Sequence, residues 1–270
     1  MSEDKEQKTY RGRIAPTPSG YLHEGHARTF KVAWRRAKEQ GGCLIYRNDD
    51  LDKLRCSEEF TSAAMEDLRS IGITWDEGPD CGGACGPYNQ SERTSRYITI
   101  LLRLAKEGLV YPCTKSRKEI QAFGMKAKAG NEYLFPQELR PNQQHYTKDQ
   151  ISLDKNWRFR TALNYEVHFI DGRKGKQCFE VGKDFSDFLV WRKDRHASYE
   201  LATIVDDHFM KITEIVRGED LLISSARQCV LFDALKYQRP MFYHCELLLD
   251  GKGRKLSKSK RNLPRIFFGN

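Results

Sequence analysis

The stretch from Tyr21 to Thr29 reads YLHEGHART and sets His23 and His26 on either side of Gly25. Two imidazoles at this spacing can donate hydrogen bonds to phosphate oxygens without the desolvation cost of buried lysines. The glycine lets a ligand come close to the backbone. In isolation such a pair is more often solvated or satisfied within a core, so its position in the fold must decide. A second chemical stretch, KLSKS, runs from Lys255 to Ser259. Alone it is an ordinary fragment of a basic tail. Combined with H-x-G-H in a parallel-sheet protein, its Lys255, Ser257 and Lys258 become a loop that can close over a triphosphate.

The surrounding elements supply that context. RGRIAP reads as a short strand entering the turn PTPSG. Phe30, Ala33, Trp34 and Ala37 then recur at helical spacing, Gly41 and Gly42 end the helix, and CLIYR is an apolar strand. Strand, helix and strand make a βαβ unit, which predicts a parallel pair with a right-handed crossover. H-x-G-H falls in the turn between the first strand and the first helix. There the helix dipole and its open N–H groups favour anions, and doubly wound sheets bind ligands at that end. Ser57 predicts an N-cap for a helix with Phe60, Ala64, Leu68 and Ile71 on one face, and Ser91 one for a helix carrying Ile98, Leu101, Leu102 and Ala105. From Val110 to Ser186 periodicity degrades into loops and short elements of an inserted subdomain. It returns in ASYELATIVDD (helix), ITEIVRG (strand), SARQCVLFDAL (helix) and FYHCELLL (strand). The expected boundaries are 1–109 and 187–250 for the two halves of a nucleotide-binding domain, 110–186 for the insertion, and 251–270 for the KLSKS loop and basic end.

The 270 residues suit one large domain or two modest ones. Mean hydropathy is −0.70, no apolar run is long enough to span a bilayer, and MSEDKEQKTY lacks a signal-peptide core. A cytoplasmic protein without a membrane partner is expected. Net charge is +9, from 46 basic against 37 acidic residues, which raises a polyanion as a partner. Eight cysteines, with Cys81 and Cys85 the one close pair, predict reduced thiols rather than a disulfide scaffold or a zinc site at that pair.

In chain order, GRIAPTPSGYLHEGHAR, YRNDDLD, GPYNQSER, RKDRHASYELATIVDD, VRGEDLL, the pair Arg227–Gln228 and KLSKS resemble the signatures of the class I aminoacyl-tRNA synthetases, and within them the glutamyl branch. The resemblance runs from Arg13 to Ser259. It implies an α/β fold, a split Rossmann-type catalytic domain with an inserted mixed α/β acceptor-binding subdomain. It also implies that glutamate is activated by ATP, with Mg²⁺, as glutamyl-adenylate and passed to RNA. His23, Gly25, His26, Lys255, Ser257 and Lys258 are then the ATP contacts, and His23, His26 and Lys258 the catalytic groups. Arg13 would hold the substrate γ-carboxylate through its guanidinium fork, with Arg217 as a second basic contact. Tyr199 would supply a hydroxyl and a ring wall, and Ala15 and Thr17 would continue the pocket, Thr17 in place of a serine. Asp49 stands where the family has glutamate for the α-amino group and is one methylene shorter. Asp50 and Asp52 read as surface charges.

The chain stops eleven residues after Ser259, which resembles the glutamyl-queuosine tRNA(Asp) synthetases, truncated paralogues that load glutamate onto queuosine. The function expected on that resemblance is glutamate activation and transfer to queuosine in the anticodon loop of tRNA(Asp), by a monomer. The alternatives are the same adenylation with another acceptor or amino acid, including a miniature glutamyl-tRNA synthetase, and an inactive RNA-binding paralogue. Intact His23, His26 and Lys258 weigh against the last. These paralogues usually hold zinc through C-x-C, a tyrosine and a further cysteine. Here Cys113 remains, Lys115 replaces the second cysteine, and Phe135 and Leu139 stand at the other positions. Zinc is not expected, and His145, the conceivable substitute, has no cysteine near it. Tyr133, Phe135, Tyr146 and Trp157 could stack on bases, although core packing is the commoner role of such residues.

Overall fold

The computed structural model describes residues 9–128 and 132–248. In chain order these form β1 (Arg11–Ile14), α1 (Glu24–Glu39), β2 (Cys43–Tyr46) and α2 (Glu58–Ser70). A 3-10 turn at Gln90–Arg93 leads into α3 (Thr94–Lys106), followed by β3 (Val110–Cys113), α4 (Arg117–Ala122) and β4 (Asn156–Phe159). Next come β5 (Glu166–Asp171), β6 (Gly175–Glu180), β7 (Phe188–Arg192) and β8 (His196–Ala197). The order closes with α5 (Tyr199–Phe209), β9 (Glu214–Gly218), α6 (Leu222–Ala234) and β10 (Met241–Cys245). Two compact units result: one takes the chain up to Glu92, Met210–Glu219 and the chain from Pro240, the other Arg93–Phe209 and Asp220–Arg239.

In the first unit β1 and β2 pair in parallel, Arg11 against Cys43 through Ile14 against Tyr46, with α1 as the connection. This is the βαβ arrangement expected from the sequence. α1 buries Ala27, Phe30, Ala33 and Ala37, and Trp34 is partly buried against the same core as Ile14, Leu44 and Leu68. Burying the Phe30 ring contributes roughly 1.5–3 kcal/mol. The helix ends because Gly41 turns left-handed, at φ +57°. At Gly42 a Cβ would stand 2.5 Å from the Tyr10 carbonyl oxygen, so no side chain fits there. α2 starts where expected, the Ser57 hydroxyl accepting the Phe60 N–H at 3.3 Å. β9 and β10 form a second parallel pair, Met241 against Glu214 through Cys245 against Gly218. The Thr213 N–H, just before β9, donates to the Arg11 carbonyl at 2.9 Å and fastens β9 to β1.

The start of α3 corrects the sequence reading. Ser91 is not its cap: it lies inside the 3-10 turn, and the helix opens three residues later, at Thr94. The Ser91 N–H and hydroxyl both donate to the Asp50 carboxylate, at 2.8 and 2.7 Å. A charged acceptor there outcompetes the helix for the serine. The buried face of α3 is Tyr97, Ile100, Leu101, Leu104 and Ala105, rotated from the face expected.

The second unit carries an antiparallel sheet in the order β3-β4-β7-β8 and the antiparallel hairpin β5–β6. The stretch read as loops and short elements of an insertion contains β3 to β6 and α4. These strands are only four to six residues long, too short for a period to declare itself. α5 is buried along nearly its whole length. No helix among the described residues is long and apolar enough to cross a membrane.

Candidate active site

The N-terminus of α1 is closed by two histidines that cap each other's backbone. His23 is the N-cap, in extended conformation, and its Nδ1 accepts the Gly25 N–H at 3.1 Å. His26 returns the bond: its Nδ1 accepts the His23 N–H at 3.3 Å. With each Nδ1 an acceptor, the proton of each neutral ring resides on Nε2. The rings lie face to face, centroids 3.7 Å apart and 33° from parallel, and both residues are half-buried. A Cβ at Gly25 would meet the His23 ring at 3.0 Å, so the glycine leaves that ring its room. Ring N–H donors at the positive end of a sixteen-residue helix suit a polyphosphate. Histidine is not among the usual N-caps, which is why the H-x-G-H spacing did not disclose this role. Lys255, Ser257 and Lys258 lie outside the described residues.

Arg13 on β1 and Arg217 on β9 are each 4 % exposed. Arg13 Nη1 donates to the Val216 carbonyl at 3.0 Å, bringing its guanidinium to the residue before Arg217. The Arg217 guanidinium lies 5.4 Å from the centre of the Phe242 ring. Ala15 is half-buried and Thr17 exposed, its carbonyl accepting the Ser19 N–H at 2.9 Å. Asp49 is buried, its N–H donating to the Pro16 carbonyl at 3.0 Å. Its carboxylate already receives Arg47 Nε at 2.7 Å, in a pair exposed 6 % and 0 %. Arg47 Nη2 reaches the second carboxylate oxygen at 3.4 Å, so Arg47 spans both.

Asp50 departs from its sequence reading. It is half-buried and is also the acceptor of Ser91, joining YRNDDLD to GPYNQSER. The same two motifs meet at Asn48, whose N–H donates to the Tyr88 carbonyl at 2.9 Å and whose carbonyl accepts the Gln90 N–H at 3.0 Å. Asp52, also half-buried, pairs with nearby Arg55 at 2.7 Å.

Glu77 was not singled out in the sequence, yet it organises the floor of this unit. Arg11 Nη2 donates to it at 2.9 Å and the Tyr88 hydroxyl at 2.5 Å. Burial alone would raise the Glu77 carboxyl, but the Tyr88 hydrogen bond and the Arg11 guanidinium outweigh it and hold it below the usual carboxylate range. Burial and Glu77 push the Tyr88 hydroxyl up to about 12.

In the second unit Asp206, from the VDD motif, accepts Arg93 Nε at 2.5 Å and the Tyr97 hydroxyl at 2.8 Å, with all three residues fully or almost fully buried. Glu200 accepts the Ser224 hydroxyl at 3.0 Å and Gln228 Nε2 at 3.1 Å, tying the Arg227–Gln228 motif to the start of α5. Tyr199, the first residue of α5, is 40 % exposed. It lines a cleft of about 830 Å³ within this unit, together with Lys115, Arg117, Arg158, Lys193 and Arg227.

The positions that hold zinc in the resembling paralogues do not fit a metal here. Cys113 and Phe135 are buried in one apolar cluster with Tyr111 and Ile120, and Leu139 packs against it. Lys115 pairs with Glu119 at 3.6 Å. His145 Nδ1 lies 2.9 Å from the Lys106 carbonyl, and Cys85 Sγ accepts from Arg11 at 3.4 Å. Phe135 and Trp157 are core residues, whereas Tyr133 and Tyr146 are half-buried.

With this geometry in view, similarity to known proteins is direct. Residues 9–266 match the family of class I tRNA synthetases (E and Q), catalytic domain. A protein named Glutamyl-Q tRNA(Asp) synthetase from Nitratidesulfovibrio vulgaris is 38% identical over 94% of this chain and 79% of its own length. One of the same name from Symbiobacterium thermophilum is 41% identical over 92% of this chain and 77% of its own. The crystal structure of a glutamate tRNA ligase from Elizabethkingia meningosepticum superposes with a TM-score of 0.79 at 30% identity, over 93% of this chain. The chain spans about half of that solved enzyme, 52%. The reciprocal histidine caps on a βαβ unit, the ordered motifs and these matches agree: the chain is an enzyme of the class I tRNA synthetase family for glutamate and glutamine, carrying its catalytic domain.

Proposed function

We propose that the protein activates glutamate with ATP and Mg²⁺ and transfers the glutamyl group to queuosine in the anticodon loop of tRNA(Asp). The observation that carries the reading is the His23–His26 pair, whose Nδ1 atoms accept backbone N–H groups at the N-terminus of α1 beside Gly25. In the first step an oxygen of the glutamate α-carboxylate bonds to the α-phosphorus of ATP. The bond from that phosphorus to the bridging oxygen breaks, and pyrophosphate leaves with the electron pair. His23 and His26 donate to phosphate oxygens as charge moves onto the leaving group, where preorganised donors act most strongly. Mg²⁺, when bound with ATP, supplies further charge neutralisation. Arg13 and Arg217 receive the γ-carboxylate, and Asp49 shares its carboxylate between Arg47 and the α-ammonium group. In the second step the acceptor nucleophile attacks the acyl carbon and AMP departs.

The acceptor enters through the second unit, whose cleft of about 830 Å³ is lined by five basic and three acidic side chains. Single-stranded loops expose bases and phosphates to such a surface. The queuosine acceptor is supported by the names of the two relatives covered over more than three-quarters of their length.

Two measurements test the reading. ATP–pyrophosphate exchange should require glutamate, and Lys258→Ala should slow it by about 100-fold or more, the scale for one lost preorganised contact. Labelled glutamate should appear on queuosine-containing tRNA(Asp), survive periodate oxidation of the 3′ end, and be absent from queuosine-free tRNA. Label on the 3′ adenosine would make the enzyme a glutamate–tRNA ligase. Exchange without label on any tRNA would give it a different acceptor.

A further inference from the structure

The hairpin β5–β6 carries a set of donors that the adenylation chemistry does not use. Its antiparallel register places Glu166 opposite Glu180 and His168 opposite Cys178. Residues two apart on a strand, and residues directly opposite across an antiparallel pair, project from the same face. Glu166, His168 and Cys178 therefore share one face. Their ligand atoms (a carboxylate oxygen, an imidazole nitrogen and a thiol sulfur) all lie within 4.8 Å of one another, and all three residues are exposed. Among the described residues this is the one such group of three. His168 Nε2 and the Glu166 carboxylate are already 3.0 Å apart.

We propose that this face of the hairpin binds one Zn²⁺ through Glu166, His168 and Cys178, with water completing the shell. Oxygen, nitrogen and sulfur together form a borderline-soft set that suits zinc and its substitute cobalt, whereas magnesium and calcium call for oxygen alone. Bond lengths of about 2.0–2.3 Å in a tetrahedron put neighbouring ligand atoms about 3.3–3.8 Å apart. The Glu166–His168 pair, at 3.0 Å, stands a few tenths of an ångström closer than that range, and rotation of the three exposed side chains opens it and brings Cys178 in. The backbone beneath is fastened: the His168 carbonyl accepts Arg239 Nη1 at 2.9 Å. Glu180, on the same face, is engaged by Lys183 at 2.8 Å and is not one of the set. The ladder from Glu166–Glu180 to Asp171–Gly175 is complete without the ion, so the metal occupies a formed hairpin and is not needed to make it. Cys113, in its apolar cluster, takes no part.

The full-length chain, stripped with a chelator and titrated with Co²⁺, should bind one equivalent and develop a thiolate-to-cobalt charge-transfer absorption that Zn²⁺ abolishes. Cys178→Ser should lose the absorption, and His168→Ala should weaken binding by about 100-fold, at or beyond the upper end of what even an outer-shell partner of a metal ligand contributes. Both variants should melt with the metal-free wild type, since the altered side chains are exposed. Cys81→Ser should bind as the wild type does. An absorption retained by Cys178→Ser, one lost instead with Cys81→Ser, or none in the wild type would each overturn the proposal.

Discussion

Gly25 separates two roles that the histidines perform together. Alanine there would favour the helix by roughly 1 kcal/mol, but its Cβ would press on the His23 ring at 3.0 Å. Gly25→Ala is therefore expected to leave the melting temperature nearly unchanged while slowing ATP–pyrophosphate exchange by about 10- to 100-fold, the scale of a misplaced contact. A normal exchange rate would detach the His23 ring from ATP. The arginines set a second expectation. If Arg13 and Arg217 receive the γ-carboxylate, glutamine presents a neutral amide to two buried guanidinium groups, a loss of about 2–5 kcal/mol. Exchange measured with each amino acid checks this, and equal kcat/KM values would dissolve the pocket.

At the scale of elements, the motifs of the family act as clasps. YRNDDLD meets GPYNQSER through Asp50, Asn48 and Ser91, and the arginine of GPYNQSER, Arg93, meets VDD through Asp206. Asp206→Asn leaves the fully buried Arg93 without its ion pair, and breaking such a pair costs about 3–5 kcal/mol. Urea unfolding should show that loss; a change under 1 kcal/mol would mean the charge is satisfied elsewhere. Glu77 makes the acid side testable. Its carboxyl sits below the usual range when folded, so its contribution is present above the unfolded value of about 4.3 and is lost as pH falls through the folded one. Glu77→Gln should cost stability at neutral pH and flatten the decline of unfolding free energy below about pH 5, relative to wild type. Parallel curves for the two proteins would remove Glu77 from the acid response.

For the whole molecule, charge divides the two proposed steps. The +9 balance contributes to binding of a polyanion but not of a small amino acid. Raising salt from about 50 to 200 mM should depress glutamyl transfer to RNA steeply, by counterion release, and leave glutamate activation almost level. Activation falling in step with transfer would show that salt acts on the catalytic domain itself. Replacing Lys115 and Arg117 together by alanine should reduce transfer and its salt slope while sparing exchange.

What the sequence determined by itself was the family and the α/β class, because these rest on local signals. The βαβ unit is written in the strand RGRI, the helical spacing of Phe30, Ala33 and Ala37, and the glycines that end α1. Nearest neighbours along the chain suffice to read these. What needed the tertiary structure was every role that depends on which groups the folded backbone turns toward each other. Ser91 reads as a cap until Asp50 takes its hydroxyl, and Asp50 as a surface charge until Ser91 is beside it. Asp49 shows no sign of Arg47, two residues away, until the backbone turns both side chains to the same buried spot. Even H-x-G-H shows which residues stand at the helix start but not which ring nitrogen carries the proton. That follows from hydrogen bonds to N–H groups that only the folded turn presents to them.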